Sequence, residues 1–145
     1  MLLCRFEHSG RVSCGVFEGD RVTPIVGDLF GDREAAGDSV ALSDVRLLAP
    51  LIPPKVLAAA VNYQSHVSSG AAVLKSDEAP SVPQLFLKPS SSVIGPDDTI
   101  VLPAEARRIE AEGELVAVIG RTCRKVSMQR RWIMFSGTPA ATMSA

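Results

Sequence analysis

The sequence has little of what marks a membrane protein, a nucleic-acid-binding protein or a disulfide-stabilised protein. Its 145 residues include one tryptophan, one tyrosine and three cysteines, and the formal net charge is −1. This charge balance gives no reason to expect nucleic acid or an anionic membrane as a partner. No apolar run approaches the length of a membrane span, and the N-terminus MLLCRFEHSG lacks a signal-peptide pattern. We therefore expect a cytoplasmic protein that binds neither nucleic acid nor membranes.

The cysteines are odd in number and scattered, at Cys4, Cys14 and Cys123. They form no C-x-x-C pair, so neither a zinc site nor a disulfide framework is indicated. Cys4 and Cys14 lie on the two sides of a predicted hairpin, which would allow a disulfide between them without requiring one. Reduced thiols are the expectation for a cytoplasmic protein.

The first third of the chain predicts a small β-domain over residues 1–52. Residues 1–26 alternate short apolar runs with glycine-containing turns, which is typical of a β-meander. Residues 27–43 are polar and rich in glycine and predict a loop, in which Arg33-Glu34-Ala35-Ala36 suits a short helix. Residues 49–54 then form a stiff extended linker, because Pro50, Pro53 and Pro54 restrict the backbone. This linker marks the predicted domain boundary.

Beyond the linker, the sequence predicts further strands and one long loop. The run VLAAAV at residues 56–61 and the run LVAVI at residues 115–119 are typical of buried strands. Residues 85–87 and 99–103 predict two more strands, and the small and polar residues 68–82 predict the loop. Together these segments indicate an α+β, mostly β protein.

Glu112-Gly113-Glu114 is the segment most indicative of a chemical site. Side chains alternate along a strand, so Glu112 and Glu114 point to the same face. Two neighbouring carboxylates repel each other, and a hard divalent cation such as Mg²⁺ or Mn²⁺ relieves that repulsion because it prefers carboxylate oxygens. The alternative is a strand end with two solvated glutamates.

Three segments together resemble the fumarylacetoacetate hydrolase family in order and spacing: PPKVLAAAVNYQSH, PQLFLKPSSSVIGPDDTIVLP and EGELVAVIG. The resemblance runs from about residue 53 to residue 127. It implies the first half of a fumarylacetoacetase-like mixed β-sandwich/β-roll catalytic domain over residues 53–129. It also implies that Glu112 and Glu114 hold Mg²⁺ or Mn²⁺, that His66 is the catalytic base or proton shuttle, and that Lys88 borders a pocket for an anionic substrate. The alternatives are a surface histidine and a surface lysine.

By the same resemblance, the intact protein is a homodimeric enzyme that acts on small 2-oxo or 1,3-dioxo acids through a metal-bound enolate. The family includes C–C hydrolases such as acylpyruvate or fumarylacetoacetate hydrolase. It also includes decarboxylases and isomerases such as 2-hydroxyhepta-2,4-diene-1,7-dioate isomerase. Ser69 occupies the position where the family pattern has a glutamate that pairs with the histidine. This departure weakens the hydrolase assignment and leaves isomerase, lyase and hydratase open.

The resemblance to the family segments breaks at residues 130–145, which predict an out-of-frame tail. The protein sequence from Arg131 onward can be back-translated into DNA. When that DNA is read from the third base of the Arg131 codon, it encodes LDYVFGYTRGNDVS, the segment expected from the family. Synonymous codons were chosen to obtain this match, but the single codons of Trp132, Met134 and Met143 allow no choice. The aspartate of NDVS is the family's third metal carboxylate and is missing here. The alternative function is therefore a truncated fragment without catalytic activity, with weak or no metal binding.

Overall fold

The computed structural model describes residues 2–60, 63, 80–107, 109, 111–131, 135–137 and 140–144. Within these residues the secondary structure consists of strands and two short 3-10 helices, η1 (Leu42–Asp44) and η2 (Ser90–Ser92), and it includes no α-helix. The mostly β prediction is confirmed. No helix of the described part is long and apolar enough to cross a membrane. The chain divides into two compact units, Met1–Ile25 with Ala36–Asp98 and Val26–Ala35 with Thr99–Ala145.

The N-terminal segment forms one antiparallel sheet. Its strands are β1 (Leu2–His8), β2 (Arg11–Glu18), β3 (Arg21–Gly27), β4 (Arg33–Ala35), β5 (Val40–Ala41) and β6 (Arg46–Leu48). The strand order is β4-β3-β2-β1-β6, and β5 pairs with β3. The first three strands are the predicted meander. Arg33–Ala35 is a strand where the sequence suited a helix, and the adjacent Ala36 N–H donates to Pro24 O at 2.8 Å. Pairing with a neighbouring strand outweighs the weak helix propensity of so short a segment.

The described core lies on one face of this sheet and is centred on Phe6 and Val22, which are 2% and 0% exposed. The register pairs Cys4 with Gly15 and Phe17 with Val22, so Gly15 shares the face of both core residues. A Cβ atom at Gly15 would lie 2.8 Å from Phe6 Cε1 and 2.8 Å from Val22 Cγ1. The absence of a side chain at Gly15 therefore lets the phenyl ring and the valine close over the sheet.

Strands β7 (Val56–Ala60) and β8 (Gln84–Lys88) form a two-stranded antiparallel ribbon. One of its faces carries Leu57 opposite Leu87 and Ala59 opposite Leu85. The three leucines are 58%, 65% and 60% exposed, and the other residues of β7 are only partly buried, so the prediction of a buried strand over residues 56–61 is wrong. Burial of a strand on both faces needs a layer on each side, and the described residues supply no such layers.

The second unit contains two further antiparallel pairs. Its strands are β9 (Ala111–Leu115), β10 (Val118–Ile119), β11 (Phe135–Gly137) and β12 (Ala140–Ser144). β12 pairs with β9, and β10 pairs with β11. The apolar run predicted as one strand over residues 115–119 is thus broken at Val116-Ala117, because its two ends pair with different strands. Residues 99–103, also predicted as a strand, form none and are exposed. An isolated apolar segment has no ladder partner to hold it extended.

Candidate metal site on strand β9

Glu112 and Glu114 occupy alternate positions of β9 and therefore share one face of the strand. Glu112 is exposed, and Glu114 is partly buried. Gly113, between them, has no atom within 4 Å of the place where a Cβ would stand. Among the described residues, the face of β9 opposite the two carboxylates is therefore open at its midpoint.

The register of β12 determines which positions face the glutamates. Met143 is the partner of Glu112, Thr142 of Gly113, and Ala141 of Glu114. Directly opposite positions of an antiparallel pair belong to the same face of the sheet, about 4.5–5.5 Å apart at Cβ. Positions 141 and 143 thus belong to the glutamate face, and position 142 belongs to the other face. Neither methionine nor alanine supplies an oxygen ligand from its side chain.

The donor set fits a hard divalent cation in chemistry but falls short in number. Carboxylate oxygens are the ligands that Mg²⁺ and Mn²⁺ prefer. Mg²⁺ requires six oxygen ligands in total, and water molecules can supply several of the six. Among the described residues no group of three or more histidine, cysteine, aspartate or glutamate side chains could hold a metal ion. Of the side chains in the described ranges, those of Glu112 and Glu114 would therefore hold a cation at this site, and water would complete its coordination.

The other predicted site residues lie in the other compact unit or outside the described residues. Lys88 ends β8 in the other compact unit, where it is partly buried opposite Val56 and shares a ribbon face with Phe86. Pro89 and η2 follow it directly. His66 and Ser69 lie outside the described residues. Of the predicted site residues, the structure thus brings together Glu112 and Glu114.

Sequence reasoning missed one polar cluster, around Arg46 on β6. Arg46 Nη2 lies 2.9 Å from Glu7 Oε2, and Arg46 Nη1 lies 3.7 Å from Asp98 Oδ1. No local sequence motif predicts this cluster, because its members are separated by about forty to ninety positions along the chain. The signal available in the sequence was the segment Gly95-Pro96-Asp97-Asp98, whose residue types favour a turn.

Sequence models of two known domains match this chain. Residues 55–142 match the fumarylacetoacetate (FAA) hydrolase C-terminal domain, and residues 1–50 match the domain described as Rv2993c-like, N-terminal. The first match extends past Gln129, into the segment predicted to be out of frame. The reading-frame shift therefore remains a prediction that DNA sequence must test.

Three similar proteins illustrate the range of relatives. Protein Rv2993c of Mycobacterium tuberculosis is 42% identical over 97 residues, which are 67% of this chain and 35% of that protein. The 2,4-didehydro-3-deoxy-L-rhamnonate hydrolase of a Sphingomonas strain is 30% identical over 139 residues, 88% of this chain and 47% of that protein. The crystal structure of 5-carboxymethyl-2-hydroxymuconate delta-isomerase from Mycobacterium smegmatis has a TM-score of 0.84 at 36% identity, covering 99% of this chain and 55% of that one. The chain thus spans about half the length, or less, of the relatives it matches.

Proposed function

Because the chain belongs to the fumarylacetoacetate hydrolase family, we propose that it is part of a metal-dependent enzyme that acts on a small 2-oxo or 1,3-dioxo acid. The named relatives include a hydrolase and a double-bond isomerase, and both names describe carboxylic acids. Hydrolysis next to a carbonyl and migration of a double bond in such an acid both develop negative charge on an oxygen. A site that stabilises that charge serves either reaction.

The observation that carries the proposal is the pair of carboxylates on one face of β9. Glu112 and Glu114 hold the divalent cation, and a bound Mg²⁺ or Mn²⁺ supplies a Lewis acid that stabilises oxygen anions. Lys88 offers an ammonium group to a substrate carboxylate. His66 moves the proton. With Ser69 in place of the glutamate expected beside His66, we propose isomerisation ahead of hydrolysis.

The predicted reading frame supports the same site. Restoring one base ahead of codon 131 would place LDYVFGYTRGNDVS at positions 132–145, with NDVS at 142–145. The aspartate of that segment then falls at position 143, which is the position that pairs with Glu112. A third carboxylate would thus stand opposite the first, on the face that already carries two.

Calorimetric titration with Mg²⁺ and Mn²⁺ tests the metal site on three proteins: the present chain, the protein translated from the restored frame, and the restored protein with Glu114→Ala. We expect about millimolar affinity or weaker in the present chain, because it has too few ligands. The restored protein should bind more tightly and should turn over an oxo-acid substrate, and Glu114→Ala should abolish both properties. Equal metal binding by the restored protein with and without Glu114 would refute the site. The ratio of isomerised to hydrolysed product then decides between the two reactions.

The second candidate is a fragment that has no catalytic activity of its own. It is favoured by the exposed leucines of the β7–β8 ribbon and by the lack of a third protein ligand within the described residues. Genomic DNA around codon 130 separates the two candidate functions. An intact family segment downstream in the shifted frame would indicate that this chain is a truncated product of an enzyme gene, which is the second candidate. A gene that encodes residues 132–143 with codons incompatible with the shifted frame would remove the frame argument.

A further inference from the structure

The turn formed by Gly95, Pro96, Asp97 and Asp98 lies against the backbone where β6 ends. A Cβ atom built on Gly95 would stand 2.9 Å from Ala49 N and 3.1 Å from the Cα and carbonyl carbon of Leu48. These are backbone atoms, which cannot swing aside as the end of a flexible side chain can. Only glycine permits this approach of one chain segment to the other.

Arg46 contacts both sides of this junction. Its guanidinium lies 2.9 Å from the Glu7 carboxylate, its direct cross-strand neighbour in the β1–β6 ladder. The same group lies 3.7 Å from Asp98 Oδ1 in the turn. A planar guanidinium with five N–H donors can serve two carboxylates at once, and the ladder position of Glu7 sets the direction in which Arg46 extends.

Asp98 also closes the turn itself. Its Oδ2 accepts a hydrogen bond from the Gly95 N–H at 2.8 Å, and its own N–H donates to Gly95 O at 3.3 Å. One carboxylate therefore shapes the turn with one oxygen and faces Arg46 with the other. Next to this contact lies an open cleft of about 400 Å³ flanked by Leu42, Val45, Leu47 and Pro96. The turn thus fits against β6 at Gly95, and its contact with Arg46 is an exposed one beside an open cleft.

We infer that the Gly95–Asp98 turn is an interaction surface that docks residues 89–98 of the FAA hydrolase segment onto the N-terminal sheet of the same chain, with β6 as its partner. Both partners lie in one compact unit, although they match two different domain models. We therefore expect the β1–β2–β6 part of the N-terminal sheet and residues 89–98 to open together rather than as independent domains. This inference does not depend on the proposed catalytic function.

Hydrogen–deuterium exchange on the whole chain tests the docking, with peptides that cover residues 45–49 and 93–99. In Gly95→Ala we expect exchange to accelerate at least about fivefold in both peptides, because the added methyl group would meet backbone atoms of Leu48 and Ala49. Gly113→Ala is the matched control, because a Cβ there meets no atom within 4 Å. Acceleration confined to residues 93–99 would show that the turn has no partner on β6 and would overturn the inference.

A second set of variants covers the case in which Gly95→Ala unfolds the whole protein, seen as fast exchange in residues 11–18 as well. Arg46→Ala removes the contact to the turn, whereas Glu7→Gln removes only the charge of the other partner of Arg46 and leaves Asp98 in place. We expect Arg46→Ala to accelerate exchange in both peptides and Glu7→Gln to leave residues 93–99 unchanged. Identical effects of the two substitutions on the turn would overturn the role of Arg46 and the inference with it.

Discussion

At the scale of single residues, the closest packing in the described core depends on a side chain that is absent. Gly15 lies beneath Phe6 and Val22, and its Cβ position is also 2.9 Å from Thr23 O. These neighbours belong to two strands, β1 and β3, which pair with β2 on either side of Gly15. A sequence reader sees only a glycine in a strand, which usually indicates a bulge or a close approach and does not say which.

We predict that Gly15→Ala destabilises the N-terminal sheet by about 1–3 kcal/mol, because the added methyl group overpacks a site with no room for it. Urea unfolding followed by circular dichroism measures this change. Gly113→Ala serves as the control, since its methyl group enters open space and should cost nothing or stabilise slightly. Equal stability of Gly15→Ala and the original chain would contradict the packing described for Phe6 and Val22.

The register of the first hairpin decides whether Cys4 and Cys14 can form a disulfide. Cys4 pairs with Gly15 and Arg5 pairs with Cys14, so Cys4 and Cys14 belong to opposite faces of the sheet. Both are free, as is Cys123. A disulfide that the hairpin alone would allow is thus excluded by a register difference of one residue. Burial raises the pKa of the Cys4 thiol above its ordinary value of 9.0, and the nearby Cys14 raises that pKa further.

This pKa direction predicts how stability depends on pH. Because the folded protein keeps the Cys4 proton to higher pH than the unfolded chain does, the Cys4 contribution to stability is fully present below the unfolded pKa. It is lost as the pH rises through the folded pKa. Denaturant unfolding at about pH 8 and about pH 10 should therefore show a larger loss of stability in the original chain than in Cys4→Ala. Equal losses in the two proteins would show that Cys4 titrates alike in both states.

At the scale of secondary-structure elements, the pairing of β12 with β9 decides how the two glutamates can be used. The ladder sets position 143 opposite Glu112 and position 142 opposite Gly113. Adjacent positions of one strand therefore belong to opposite faces, although the sequence places them side by side. A carboxylate gained at one position should assist a metal ion, and a carboxylate gained at the other should not.

We predict that Met143→Asp tightens Mn²⁺ binding by about tenfold, the change that about 1.4 kcal/mol of added interaction produces. The physical reason is a third oxygen ligand on the face of Glu112 and Glu114. Thr142→Asp is the matched control, since it adds the same charge one residue away on the other face. Electron paramagnetic resonance of free Mn²⁺ measures both affinities. Equal tightening by the two aspartates would indicate general electrostatic attraction rather than a site.

At the scale of the whole molecule, the described residues leave an apolar surface exposed on the β7–β8 ribbon. Leu57, Leu85 and Leu87 form one face of the β7–β8 ribbon, and more than half of each is exposed. The chain spans about 55% of the M. smegmatis structure that it resembles. Contiguous exposed leucines on a short ribbon favour association with other apolar surfaces.

The double substitution Leu57→Thr with Leu87→Thr should lower the binding of the dye anilinonaphthalene sulfonate and reduce aggregation, while changing the urea midpoint little. Exposed side chains lose little burial when they become polar, and threonine keeps a high strand propensity. Val22→Thr is the contrasting substitution, because Val22 is 0% exposed and its replacement should lower the midpoint. Unchanged dye binding in the double variant would place the apolar surface elsewhere.

The sequence by itself determined the mostly β class, the N-terminal meander and the family, because these depend on local alternation, on turn residues and on motif order. It also determined that Glu112 and Glu114 share a strand face, since alternation in a strand is a local property. The strand at Arg33–Ala35, the break at Val116-Ala117 and the exposure of the ribbon were not predictable in this way. Each depends on which distant segment pairs with or covers the strand.

Only the tertiary structure decided which residues meet across long separations. It joined Arg46 to Glu7 and Asp98, brought Gly95 against the end of β6, and set position 143 opposite Glu112. A one-residue change in register would reverse the face of every position in β12, and no local pattern in ATMS distinguishes the two registers. Register and docking are properties of pairs of segments. The sequence therefore predicts the strand face of each glutamate, but it does not predict the residue that lies opposite on the neighbouring strand.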